Sequence, residues 1–106
     1  MATTLTPEQT ASALHGTGFR HHGDRLEVHY RTDDFVSGMR LLVDVAALAE
    51  RIGHHPDVRL GWGRLDFELS SHDAGGVTER DLELAAGIRD LAEAAGITAK
   101  PHDVAL

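Results

Sequence analysis

Eight of the 106 residues are histidine and none is cysteine. Imidazole titrates near neutral pH and can serve as acid, base or metal ligand. Without cysteine, thiolate nucleophiles, thiolate zinc sites, disulfides and iron–sulfur clusters drop out. Two adjacent pairs invite comparison: His54 and His55 in AERIGHHPDV, and His21 and His22 in FRHHGDR. The first pair follows Gly53 and precedes Pro56, whose ring fixes its own φ and restricts His55, so both imidazoles are held in defined directions. A third histidine, His72, sits in SSHDAGG, with Asp73 and Asp81 nearby to orient an imidazole or raise its pKa. Three convergent imidazoles suit two chemistries. They can bind zinc or another transition metal with one position left for water, or one can act as general acid and another as base. Adjacent histidines point apart, unlike the i, i+3 or i, i+4 pairs of helical metal sites, which places acid/base work ahead of metal binding. A merely polar loop remains a third reading.

The elements that must position these residues follow from pattern. LTPEQTASALHGTGF carries Thr6 as N-cap, Pro7 at the first helical position and Gln9 three residues after the cap, predicting a helix over 7–15 with Ala11 and Leu14 inward. Leu26, Val28 and Tyr30 alternate with polar residues, and Gly23-Asp24 forms a turn to a shorter strand near Phe19: a hairpin. His21 and His22 lie beside that turn, where polar residues belong. DDFVSGMRLLVDVAALAERIG predicts the longest helix, started by Asp33 or Asp34 and stopped by Gly53. Phe35, Met39, Leu42, Ala46 and Ala49 form its core stripe, widened by Val45 and Ile52. Gly38 marks a close contact. VRLGWGRLDFELSS predicts a second hairpin with its turn at Gly63 and Trp62 as a packing aromatic. The last helix starts at Thr78, with Asp81 at the capping-box position and Leu84, Ile88, Leu91 and Ala95 inward. The order α-β-β-α-β-β-α predicts an α+β, two-layer domain: a four-stranded antiparallel sheet with helices on one face. In the second hairpin the start of one strand lies beside the end of the other, which draws His72 toward His54 and His55. His15, His21, His22, His29 and His102 read as surface residues.

Length predicts a single domain over 1–106 with an ordered core of about 5–97. The net charge of −7, from 10 basic and 17 acidic residues, argues against a nucleic-acid partner, which needs a clustered basic surface. No apolar run is long enough to span a bilayer, and MATTL lacks the features of a signal peptide, so no membrane partner and a cytoplasmic location are expected.

The run AERIGHHPDVRLGWGRLDFELSSHDAGGVTERDLELA resembles the signature of the pterin-4a-carbinolamine dehydratases, the family that includes the dimerisation cofactor of a homeodomain transcription factor. The matching positions are Ala49, Glu50, His54, His55, Pro56 and Asp57, then Ser71, His72, Asp73, Gly76, Val77, Thr78, Asp81, Leu84 and Ala85. Phe19 stands where the family usually has tryptophan, and Trp62 where it has tyrosine. The resemblance implies dehydration of a 4a-hydroxytetrahydropterin, the spent product of aromatic amino-acid hydroxylases, to a quinonoid dihydropterin, with no metal or redox cofactor. It implies that His54, His55 and His72 hold the pterin and supply acid and base, with Pro56, Asp57, Ser71, Asp73 and Asp81 binding or supporting. It also implies a homodimer or homotetramer. The rival reading is a non-enzymatic pterin-binding or protein-assembly module on the same fold.

Overall fold

The computed structural model describes residues 3–101. His102 lies outside them. Its helices are α1 (Pro7–Leu14), α2 (Phe35–Ile52) and α3 (Glu79–Ala94), and its strands are β1 (Arg20–His22), β2 (Arg25–Arg31), β3 (Asp57–Gly61), β4 (Arg64–Leu69) and β5 (Thr98–Ala99). The sheet is antiparallel in the order β1-β2-β4-β3. Two hairpins are thus joined through their inner strands, as the four-strand reading requires. β5 is an addition. It pairs with Tyr30 and Arg31 on the same edge of β2 whose other end pairs with β1, and it lies beyond Ile97, so the ordered fold runs past the expected 97. Two residues carry no detectable period, which is why pattern reading did not find it.

Helix starts follow from side-chain caps. Thr6 and Gln9 form a reciprocal capping box on α1, and Asp34 caps α2 by accepting from the Ser37 N–H at 2.8 Å. The Ser37 backbone and hydroxyl hydrogen bonds hold the Asp34 carboxyl below the usual carboxylate range. α2 ends at Gly53, whose φ of +67° reverses the chain into the His54 loop.

Alternation on β2 and β4 lays Leu26, Val28 and Tyr30 against Leu69, Phe67 and Leu65 as cross-strand pairs, all buried. Helices cover this face through Leu14, Leu41, Val45, Leu84, Ile88 and Ala92. The opposite face carries charge. The stripe of α2 departs from expectation: Gly38, Leu41, Val45 and Ala49 are buried, whereas Phe35, Met39 and Ala46 are exposed. α2 is apolar on two sides, so periodicity admits two phases one residue apart, and packing selects the one that seats Gly38 on β3. A Cβ on Gly38 would lie 2.9 Å from Leu60 Cδ1, the close contact expected there. Ala11 and Ala95 are likewise exposed, their places inward taken by Thr10 and Ala92. Trp62 is not a packing residue; it stands 76% exposed at the β3–β4 turn.

β5 is tied down by Gly18. Its φ is +83°, and an added Cβ would come within 2.5 Å of Ala99 Cβ, a rigid neighbour. Gly18→Ala should therefore combine left-handed strain with overpacking and cost about 2–4 kcal/mol in urea unfolding. A loss below about 0.5 kcal/mol would show that β5 yields freely.

On the charged face Asp66 is buried while receiving His29 Nδ1 at 3.0 Å and an Arg64 hydrogen bond. Burial alone would raise its carboxyl pKa, but the Arg64 and His29 interactions outweigh burial and hold it below the usual range. A depressed folded-state pKa contributes stability that is complete above the unfolded value of about 3.9 and fades as pH falls toward the folded value. Asp66→Asn should flatten the acid limb of the stability curve below about pH 4 relative to the parent; two parallel limbs would contradict this.

Candidate active site

The loop leaving α2 and the turn leaving β4 meet at the N-terminus of α3. The last ladder pair of β3 and β4 sets Asp57 opposite Glu68, so the chain just before β3 lies alongside the chain just after β4. Asp81, fully buried on the first turn of α3, joins the two segments. Its Oδ1 lies 2.6 Å from His54 Nε2. Its Oδ2 accepts from Ser71 Oγ at 2.8 Å and from the Thr78 N–H at 2.9 Å. Ser71 and Thr78 hydroxyls are also hydrogen-bonded to each other at 2.8 Å. Because Ser71 gives its proton to Asp81, Thr78 Oγ1 is the donor in that last bond.

The network fixes a tautomer. A carboxylate only accepts, so His54 Nε2 carries the proton that faces Asp81. Nδ1 is then the ring nitrogen left for other work. His54 is buried at 8% exposure, and its backbone N–H is bonded to the Ala49 carbonyl at 3.2 Å, which sets where the ring leaves α2. Asp81 therefore does both jobs weighed for it in the sequence: one oxygen closes the capping box of α3 and the other orients His54.

His55 points to a different partner. Its Nε2 lies 2.5 Å from Glu50 Oε2 on the last turn of α2, and both side chains are exposed. Glu50 is one of the matching positions of the sequence pattern, but its spacing gives no sign that it reaches the site. The turn at Gly53 folds residue 55 back onto residue 50, a five-residue spacing that no helical periodicity announces. Arg80 is a second residue that spacing did not reveal: its Nη2 donates to the Gly53 carbonyl at 2.7 Å and clamps the α2 terminus to α3.

His72 is exposed on the turn that follows Ser71. That turn is closed by a bridge between Ser71 and Gly76 and by Ala74 and Gly75 N–H bonds to the Ser71 carbonyl. Through Ser71, His72 is one residue from the Asp81 network that holds His54. Pro56 is half-buried between His55 and β3, while Asp57 and Asp73 are exposed and outside the Asp81 network. Asp57 lines a depression of about 350 Å³ on the charged sheet face. Among the described residues, no three His, Asp or Glu side chains converge as a metal centre would require.

The control pair has an ordinary explanation. His21 Nδ1 bonds the buried Thr10 hydroxyl at 2.8 Å and its Nε2 the Gly23 carbonyl at 3.1 Å, so it pins α1 to β1 and is half-buried rather than a surface residue. His29 is half-buried too; His15 and His22 are exposed as expected.

Comparison with known proteins gives this arrangement a lineage. The family described as "Pterin 4 alpha carbinolamine dehydratase" matches residues 3–91. A protein of Acidobacterium capsulatum, provisionally named pterin-4-alpha-carbinolamine dehydratase, is 50% identical over 88 residues, covering 82% of this chain and 96% of that one. A solved transcriptional coactivator/pterin dehydratase from Brucella melitensis superposes with a TM-score of 0.78 at 26% identity, over 85% of this chain and 99% of that one. A pterin dehydratase-like protein identified as a RuBisCO assembly factor in the alpha-carboxysome gives 0.61 at 25% identity, over 74% and 93%. The match spans the His54 loop, the His72 turn and Asp81 alike, and on that ground the chain belongs to the pterin-4-alpha-carbinolamine dehydratase family.

Proposed function

We propose that the protein dehydrates a 4a-hydroxytetrahydropterin to the quinonoid dihydropterin, in the cytoplasmic recycling of tetrahydropterin spent by aromatic amino-acid hydroxylases. The observation that carries this reading is the Asp81 bridge, which holds His54 in one tautomer and sets the His72 turn beside it. In the reaction a protonated imidazole gives its proton to the 4a-hydroxyl, and the C4a–O bond breaks to release water. A neutral imidazole takes the proton from N5 as the C4a–N5 double bond forms. Atoms balance with the loss of one water, and no electron acceptor is needed. His54, His55 and His72 divide these roles. Pro56 fixes the direction of His55, Ser71 and Asp81 hold the frame, and Asp57 and Asp73 border the substrate. The test is the decay of freshly generated 4a-hydroxytetrahydropterin, followed by ultraviolet absorbance with and without the protein. Acceleration supports the assignment, and decay at the uncatalysed rate contradicts it.

The protein acts as a homo-oligomer. Beyond its buried stripe, α2 exposes Phe35, Val36, Met39 and Val43, and a helix apolar on both sides calls for cover on both. Light scattering should give a multiple of the 11.5 kDa chain mass; a monomer at micromolar concentration would contradict this. A second reading, a protein-assembly module, draws on the likeness to the RuBisCO assembly factor. It predicts partner binding that survives histidine substitution and no acceleration of dehydration.

A further inference from the structure

The charged face of the sheet is polarised along its strands. Register places Gly61, Arg64 and Arg31 in one cross-strand row and Arg59, Asp66 and His29 in the next. Lys100 extends the second row, its N–H bonded to the His29 carbonyl at 2.6 Å. Leaving His29 aside, these two rows hold four cations and one carboxylate, a net +3 on a chain of −7. The following row holds Asp57, Glu68 and Glu27 with Arg20, a net −2. Arg64 is paired with Asp66, but Arg31, Arg59 and Lys100 have no carboxylate partner among the described residues.

Except for Arg59, the cations of these rows line one concavity. A cleft of about 560 Å³ is lined by Arg20, Arg31, Arg64 and Lys100 together with the carboxylates Glu27 and Asp66, a net +2 with His29 left aside, and Trp62 stands at its edge. That volume is in the range of small-ligand sites. Trp62 leaves three quarters of its surface in water, an arrangement with no packing benefit. Along β3 the cluster lies about 13–20 Å from His55, at 3.3 Å per residue, so it is separate from the candidate active site.

We infer that this cleft binds a small phosphorylated ring compound of the nucleotide class, with its phosphates on Arg31, Arg64 and Lys100 and its ring on the Trp62 indole. Guanidinium groups match phosphate oxygens in bidentate geometry, and an exposed indole face stacks on any heteroaromatic ring. The charge pattern limits the ligand's length. Rows lie about 7 Å apart, so a longer polyanion such as a nucleic-acid strand would run past Glu27, at the acidic end of the cleft, onto Glu68 and Asp57. This inference requires nothing of the three histidines or their reaction.

Trp62 is the one tryptophan in the chain, so its fluorescence reports on the cleft directly. Titration with ATP, without divalent cations, should give a saturable change with a Kd below about 1 mM, and calorimetry should agree. Inorganic tripolyphosphate should bind at least about tenfold more weakly for want of the ring, and adenosine should not saturate. In the Arg31→Ala/Lys100→Ala double variant, ATP binding should weaken by at least about tenfold while the rate of carbinolamine dehydration stays at the parent value. No saturation by ATP, undiminished affinity in the double variant, or tripolyphosphate binding as tightly as ATP would each overturn the inference.

Discussion

Asp81→Asn should lower the dehydration rate on the order of 10²- to 10⁴-fold while leaving a folded protein. The reason is the division of labour between its two oxygens. The Thr78 N–H at 2.9 Å can only donate, and Ser71 Oγ donates to the same oxygen at 2.8 Å, so an asparagine at this position must put its carbonyl oxygen there. Its amide NH₂ then faces His54 Nε2, where the parent has an acceptor at 2.6 Å. His54 must accept at Nε2 and carry its proton on Nδ1, the reverse of the parent tautomer. The cap on α3 survives, and stability should fall by about 1–3 kcal/mol for the loss of charge-assisted hydrogen bonds. A rate within twofold of the parent, with urea unfolding confirming the fold, would remove His54 from the chemistry. Asp81→Ala does not make this distinction, because it also strands Ser71, Thr78 and His54 without an acceptor in a fully buried position.

The second large effect concerns the exposed histidines. His55→Ala and His72→Ala should each reduce dehydration by on the order of 10²- to 10⁴-fold, the usual contribution of a general acid or base. Both residues are exposed, so unfolding free energy should stay within about 0.5 kcal/mol of the parent. Loss of rate without loss of stability separates a chemical role from a structural one. The two losses should fall well short of adding in the double variant, since an acid without its base is of little use. His22→Ala, from the exposed member of the other histidine pair, serves as control and should leave the rate unchanged. Full activity in both His55→Ala and His72→Ala would end the acid/base assignment.

Much of this is legible in the sequence alone. Alternation in Leu26–Tyr30 and Leu65–Leu69, the caps Thr6 and Thr78, and an acidic cap at Asp33 or Asp34, of which the structure uses Asp34, are local signals that tertiary packing did not override. So is the meeting of the His54 loop with the Ser71–His72 turn, because a hairpin obliges the two ends to be neighbours. What escaped was set by packing or by reversal of the chain. The phase of α2 rests on which of two apolar sides meets β3, a choice made by Gly38 against Leu60. Glu50 reaches His55 only because Gly53 turns the backbone left-handed between them. The exposure of Trp62 depends on a turn that puts it past the end of the sheet, whereas in sequence it is one more aromatic among alternating residues. The cationic rows were equally hidden. Their members are dispersed from Arg31 to Lys100, and the overall charge of −7 masks them until strand register aligns them.

The most direct test of the histidine mechanism is the rate of 4a-hydroxytetrahydropterin dehydration as a function of pH from 5 to 9, with the uncatalysed decay subtracted at each point. The account predicts acceleration with a bell-shaped profile, because one imidazole must be charged and another neutral. No acceleration anywhere in that range would contradict the account and show that the family's fold serves another purpose in this chain.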